Sequence, residues 1–220
     1  PMSSQTKVRL GFIGAGWWAT SNHMPVLAAR EDVELAGVCR LGSAELARVK
    51  DHFSFSYATE DYRELLANCE LDGVVVASPH PLHHQHAKAA LEMGLPVMCE
   101  KPMTTRAGHA RELVQLAEEK GVPLLVPYGW HHKPFIQRAK KLMDDGAIGK
   151  IEFATCHMAS PIRDLLSGVE VDVSEISGQD SATLFGPTPA TWADPEIAGG
   201  GYAHAQISHS SGLLFWLDRK

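Results

Sequence analysis

The sequence predicts an α/β fold, an N-terminal doubly wound parallel sheet of the Rossmann kind followed by part of an α+β unit, and three observations predict it. Val8–Ile13 is a short apolar strand that runs straight into the glycine-rich turn Gly14-Ala15-Gly16-Trp17-Trp18-Ala19. Gly73-Val74-Val75-Val76-Ala77 is apolar and β-branched throughout, the composition of a central parallel strand covered on both faces. Around these two, strand-like runs alternate with stretches of helical period as far as Val126.

In the first turn, Gly14 permits the sharp exit from the strand and Gly16 lets a pyrophosphate approach the backbone. Ala19 is small enough for the next helix to pack closely. The phosphates would rest on that helix's N-terminus, whose first N–H groups lack helix partners. Trp17 and Trp18 flank this site, placed to pack or to stack on a cofactor. A helix over Ala19–Ala29, bent or interrupted at Pro25, leads to a second buried strand, Val33–Cys39. Ser43 is the expected N-cap of a helix over Ala44–Lys50, Tyr57 ends a third strand, and Asp61–Asn68 is helical. Beyond the Gly73–Ala77 strand come a helix (Pro81–Met93), a strand (Pro96–Cys99), a helix (Thr105–Lys120) and a strand (Pro123–Val126).

Near residue 128 the rhythm changes, which divides the chain into a dinucleotide-binding domain over 1–127 and a substrate or oligomerisation domain over 128–220. The second opens with a helix over Phe135–Asp145 closed by Gly146, then a strand over Ile151–Met158. Ser160–Gly200, rich in Gly, Ser, Pro, Thr and Asp, reads as a long loop near a site, and Ser208–Leu217 as a last helix. A strand with few neighbours exposes unpaired backbone, so association of copies through this sheet is expected.

The chain has 220 residues, 45% hydrophobic, with a net charge of −6 and no Lys/Arg run. That balance argues against nucleic acid and anionic membranes as partners. No apolar run nears the roughly 20 residues of a spanning helix and the first residues are polar, so a cytoplasmic location is expected. Pro1 stands ahead of Met2 and is left out of the reading. Cys39, Cys69, Cys99 and Cys156 are widely spaced without a C-x-x-C pair, so they are expected reduced and mostly buried. His80, His83, His84 and His86 cluster, but no acidic or cysteine partner sits at a ligand spacing, so no metal is expected.

The second strand ends Val38-Cys39-Arg40, with no carboxylate to receive the ribose 2′-OH of NAD. Arg40 can instead pair a 2′-phosphate, with Ser43 close enough to add a hydroxyl, so NADP is the expected cofactor and NAD the alternative.

The stretches Ala77-Ser78-Pro79-His80-Pro81-Leu82-His83, Cys99-Glu100-Lys101-Pro102 and Gly146-Ala147-Ile148-Gly149-Lys150-Ile151, and Gly199-Gly200-Gly201 followed by His209, stand in this order. Together with the glycine turn, the set resembles the glucose-fructose oxidoreductase / inositol dehydrogenase / rhizopine catabolism (Gfo/Idh/MocA) family over nearly all of the chain. The resemblance implies an NAD(P)-dependent oxidoreductase acting on sugar-like or cyclitol-like alcohols, with a Rossmann domain ahead of an open antiparallel sheet. It makes Ser78, Pro79 and His80 the edge of the nicotinamide site with His83 nearby, Glu100 a cofactor-ribose partner, Lys101 the catalytic lysine and His209 the histidine that meets the substrate. Each of these stretches lies just past the carboxyl end of an expected strand, where an open α/β sheet places its ligand crevice. Ala205 stands where the family usually has Asp, and Gln206 beside it is polar but no base. Family members usually also continue further, so the second domain is expected to be incomplete. These departures leave two other readings, a cofactor-sensing relative without turnover and an NAD-dependent glycosidase.

Overall fold

The computed structural model describes residues 7–159, 164, 167, 169, 183–188 and 194–218. Its centre is a six-stranded sheet of β1 (Val8–Ile13), β2 (Val33–Cys39), β3 (Tyr57–Thr59), β4 (Gly73–Val76), β5 (Val97–Cys99) and β6 (Leu124–Leu125). The order is β3-β2-β1-β4-β5-β6 with every pairing parallel. The order reverses between β1 and β4, and outside their carboxyl ends such a sheet leaves its crevice.

Strand side chains alternate between faces and each face carries its own core. Ile13, Val74, Val76, Val97 and Cys99 face one layer with Leu65, Leu91 and Leu113. Phe12, Val38 and Val75 face the other with Met24, Leu46 and Val49. The covering helices are α1 (Met24–Ala28), α2 (Ser43–Phe53), α3 (Tyr62–Asn68), α4 (His83–Glu92) and α5 (Ala107–Lys120). At β1, a Cβ on Gly11 would stand 2.6 Å from Leu71 Cδ1, so that side chain would have to shift to admit one.

Three local details differ from the sequence reading. The helix after the glycine turn opens with a π-type turn, Ala19–His23, before α1 begins. Pro25 has no N–H to return to Ser21, and Thr20 and Asn22 bind the carbonyls of Gly16, Trp17 and Trp18, so the wider turn is supported by its own side chains. Ser43 does not cap α2. Gly42 does, at φ 92°, a conformation glycine adopts without strain, and Ser43 is the first, exposed helical residue. Tyr57 begins β3 rather than ending it, because Phe55 is drawn into the core below.

After β6, α6 (Pro134–Asp144) ends at Gly146 as expected, but none of its residues is buried. The strand expected over Ile151–Met158 does not form among the described residues. Residues 151–159 carry no ladder, since no described segment lies alongside to receive their backbone groups. Phe153 and Cys156 are exposed there. Most of the Ser160–Gly200 stretch lies outside the described residues. Within it, Leu184 and Phe185 pack on the core layer of α1 and α2, and α7 (Pro195–Ala198) starts at Asp194, whose carboxylate accepts from Glu196 N. The last helix, α8 (Gly201–Asp218), is longer than the sequence indicated. A Cβ on Gly212 would stand 3.5 Å from the Tyr128 ring, an ordinary contact, and His131 meets the Gly212 carbonyl and stacks on Trp216. No helix among the described residues is long and apolar enough to cross a membrane.

Candidate active site

A cavity of about 610 Å³ lies over the carboxyl ends of β1, β2, β4 and β5. The glycine turn forms its floor. A Cβ on Gly14 would sit 2.3 Å from the Ser78 backbone N, so β1 and β4 approach as closely as they do only because residue 14 is glycine. A Cβ on Gly16 would meet nothing within 4 Å. Gly16 therefore leaves a cradle open above the helix start, and an anionic pyrophosphate fits it. This open cradle, within a cavity of ligand-site size, is where the residues present fit a dinucleotide.

Of the residues singled out in the sequence, Gly14, Gly16, Trp17, Trp18, Arg40, Ser78, Pro79, His80, His83, Glu100, Lys101 and His209 all line this cavity. Ser43 is not among the lining residues. Arg40 lies at one end. Its Nη1 donates to the Ala15 carbonyl (2.9 Å), its Nε to the Leu41 carbonyl (3.2 Å), and its guanidinium lies 4.5 Å from the centre of the Phe185 ring. Burial lowers its pKa against the pull of Glu45.

The other end is built from the loops after β4 and β5. Glu100 and Lys101 are both buried. One Glu100 oxygen, Oε1, accepts from Trp18 Nε1 (2.9 Å) and pairs with His23 Nε2 (2.7 Å), and Oε2 accepts from the Lys101 backbone N–H (2.9 Å). Burial alone would raise the Glu100 pKa, but these partners outweigh it and hold the carboxyl below its ordinary value. The carboxylate that the resemblance gave to a ribose is thus already engaged by protein on both oxygens. Lys101 shows the reverse balance, since burial lowers its pKa although the Glu100 charge pulls it up.

His83 is fully buried, with Nδ1 2.9 Å from the Pro102 carbonyl and Nε2 2.7 Å from the Ser78 carbonyl, so it ties the two loops together behind the cavity wall. Burial pushes its pKa down. His80 Nδ1 donates to the Ala198 carbonyl (2.7 Å) and anchors α7. On α8, Gln206 and His209 reach the cavity, with His209 edge-on to Tyr128 at 6.0 Å between ring centres. Burial, and then the Lys101 charge, push the His209 pKa down to about 4, which leaves a neutral imidazole at working pH.

Sequence reasoning missed His23, Glu60, Tyr62 and His86. His86 lines the wall with Nδ1 2.8 Å from Ser78 Oγ and its ring on Tyr62, and burial pushes its pKa to about 4. Glu60 accepts from the Gly42 N–H beside Arg40. Cys39 also lines the cavity, and burial raises its thiol to about 12. Among the described residues no group of three or more His, Cys, Asp or Glu is disposed to hold a metal.

Residues 8–128 match the family described as "Oxidoreductase family, NAD-binding Rossmann fold". The D-xylose 1-dehydrogenase [NADP(+)] of Haloarcula marismortui is 30% identical over 167 residues, 74% of this chain and 46% of that protein. A 3-ketoreductase from Actinomadura kijaniata, solved with TDP-benzene and NADP, is 29% identical with a TM-score of 0.60 over 66% of this chain and 45% of its own. The myo-inositol 2-dehydrogenase of Lactobacillus plantarum shares the fold at 21% identity, with a TM-score of 0.71 over 96% of this chain and 56% of its own. The chain spans about half the length of the curated relatives it matches. With the parallel sheet, the glycine turn and the Glu100-Lys101-Pro102 loop in place, the chain belongs to the Gfo/Idh/MocA oxidoreductase family.

Proposed function

We propose that this chain is an NADP-preferring dehydrogenase that moves a hydride between the nicotinamide cofactor and a sugar-like or cyclitol-like secondary alcohol. The observation that carries the reading is one continuous cavity joining Arg40, the open cradle at Gly16 and the buried Lys101 beside His209. Gly14, Gly16 and the helix start would hold the pyrophosphate, Arg40 the 2′-phosphate, and Ser78 and Pro79 would border the nicotinamide. NAD remains the alternative at the same site. The bound cofactor supplies the hydride acceptor.

The protein's part is proton transfer and positioning. As the alcohol is oxidised, its hydroxyl proton leaves to a base within about 3 Å. Lys101 serves, because burial lowers its pKa and so favours the neutral amine that can accept a proton. In the reverse direction its ammonium polarises the carbonyl and returns the proton. Neutral His209 hydrogen-bonds the hydroxyl and orients it towards Lys101, and Gln206 offers an amide from the same helix. The reading keeps a Rossmann domain over 1–127 and a substrate domain over 128–220 that contributes these two side chains. Exposed Phe135, Ile148 and Phe153 support association of copies through that second region.

Absorbance of reduced cofactor tests the proposal. The protein is mixed with NADP or NAD and a panel of aldoses, glycosides and cyclitols, and reduced cofactor is expected to accumulate with at least one of them, faster with NADP. Cofactor binding without accumulation across the panel would favour the cofactor-sensing reading. Glycoside cleavage without accumulation would favour the glycosidase.

A further inference from the structure

Trp18 is 40% exposed, lines the cavity, and yet has its indole N–H committed to a buried carboxylate. Its ring packs edge-to-face with the buried Trp17, at 5.8 Å and 75°. It stands between the glycine turn, where the reading above rests the pyrophosphate, and the Glu100-Lys101 loop, where that reading sets the reacting alcohol. We propose that Trp18 senses the charge of the nicotinamide ring and makes the protein favour the oxidised cofactor over the reduced one. The inference rests on the nicotinamide-dependent reading above.

The oxidised ring carries a positive charge and the reduced ring none, while the rest of the molecule is unchanged. The face of an indole is the most attractive aromatic surface for a cation. Here the indole N–H donates to a carboxylate held ionised, which pushes electron density into the ring and strengthens its negative face. Lys101 acts in the opposite sense, because its ammonium repels an oxidised ring. An aromatic face backed by Glu100 offsets that repulsion and keeps the oxidised cofactor bound beside the lysine.

The π-type turn makes the arrangement possible. On an α-helix, residues 18 and 23 would point roughly 140° apart at 3.6 residues per turn. In the wider turn, closed by Met24 N–H on the Ala19 carbonyl, Trp18 and His23 both reach Glu100 Oε1. His23 thus acts as a positioning residue that fixes the carboxylate, and the carboxylate fixes the ring.

Calorimetric titration of the parent protein and of Trp18→Leu with oxidised and reduced NADP tests this. Trp18→Leu is expected to weaken the oxidised form by about 3- to 30-fold, the range for a partly desolvated cation–π contact, while the reduced form changes less than about twofold. Trp18→Phe, which keeps a ring without the N–H, is expected to fall between the two. Equal weakening of both forms, or none, overturns the proposal and leaves the dehydrogenase reading untouched. A parent protein that binds neither form of NADP nor of NAD overturns the reading beneath it as well. Should Trp18→Leu not fold, Trp18→Gln carries the same test, since it too removes the ring.

Discussion

The two ends of the cavity are built on different plans. At the Lys101 end the polar groups are held by one another. Glu100 is bound on both oxygens and His83 lies between two loops, so side chains are fixed by several contacts at once. At the Arg40 end the guanidinium holds two backbone carbonyls and lies over one aromatic ring. A ligand oxygen can replace such carbonyl contacts without leaving a buried charge unpaired. Proton transfer needs a geometry set beforehand, whereas anchoring a flexible nucleotide tolerates adjustment.

Four changes would break or sharpen that contrast. Lys101→Met is expected to lower turnover by about 10²- to 10⁴-fold with affinity for the reduced cofactor nearly intact, read by steady-state rates against a fluorescence titration. Retained turnover would move the base elsewhere. The two glycines separate fold from binding. Gly14→Ala meets the Ser78 backbone at a positive φ and is expected to cost about 2–4 kcal/mol in a denaturant melt. Gly16→Ala meets nothing, so its melt should match the parent while cofactor affinity falls about 10-fold or more because the cradle is filled. At the adjustable end, Arg40→Asp is expected to reduce NADP binding relative to NAD by about 10- to 100-fold, since a bond to a charged group is worth roughly 1.5–3 kcal/mol. An unchanged ratio would remove Arg40 from cofactor choice.

The smallest effect is the dependence of stability on pH. His86 and His209 titrate near 4 in the fold against an ordinary value of 6.5, both chiefly through burial. Between those values the unfolded chain binds more protons than the folded one. Their contribution is therefore full above about pH 6.5 and lost as pH falls towards 4. Denaturant midpoints at pH 7 and pH 4.5 should show the drop, and His86→Gln should lessen it.

The Rossmann half was legible because its signals are local. Gly73–Val76 reads as an inner strand, and Gly14 and Gly16 announce a tight turn, where a Cβ on residue 14 would strike the Ser78 backbone and one on residue 16 would stand in the open cradle. Lys101 was singled out through the resemblance that its neighbours in sequence carry, and it lines the cavity. His23 was not, because helical periodicity sets it on a different face from Trp18 and only Pro25 hints that the turn is widened. Glu60, Tyr62 and His86 reach the cavity from the turn after β3 and from two helices whose own patterns carry no sign of a ligand. The strand read over Ile151–Met158 failed for a related reason. Alternation records a preference for two faces, but a ladder needs a neighbour, and no run of residues encodes its neighbour.

The burial that keeps Cys39 protonated beside the cavity also sorts the four thiols by reactivity. Cys39 and Cys99 are buried, Cys69 is half-buried, and burial raises the pKa of all three, whereas Cys156 is exposed on the unpaired 151–159 segment. Since the thiolate is the reacting form, a maleimide at neutral pH should label Cys156 first. A single dye or spin label would then sit where no ladder forms, and its signal would report whether a bound substrate or a second copy of the chain gives that segment a neighbour.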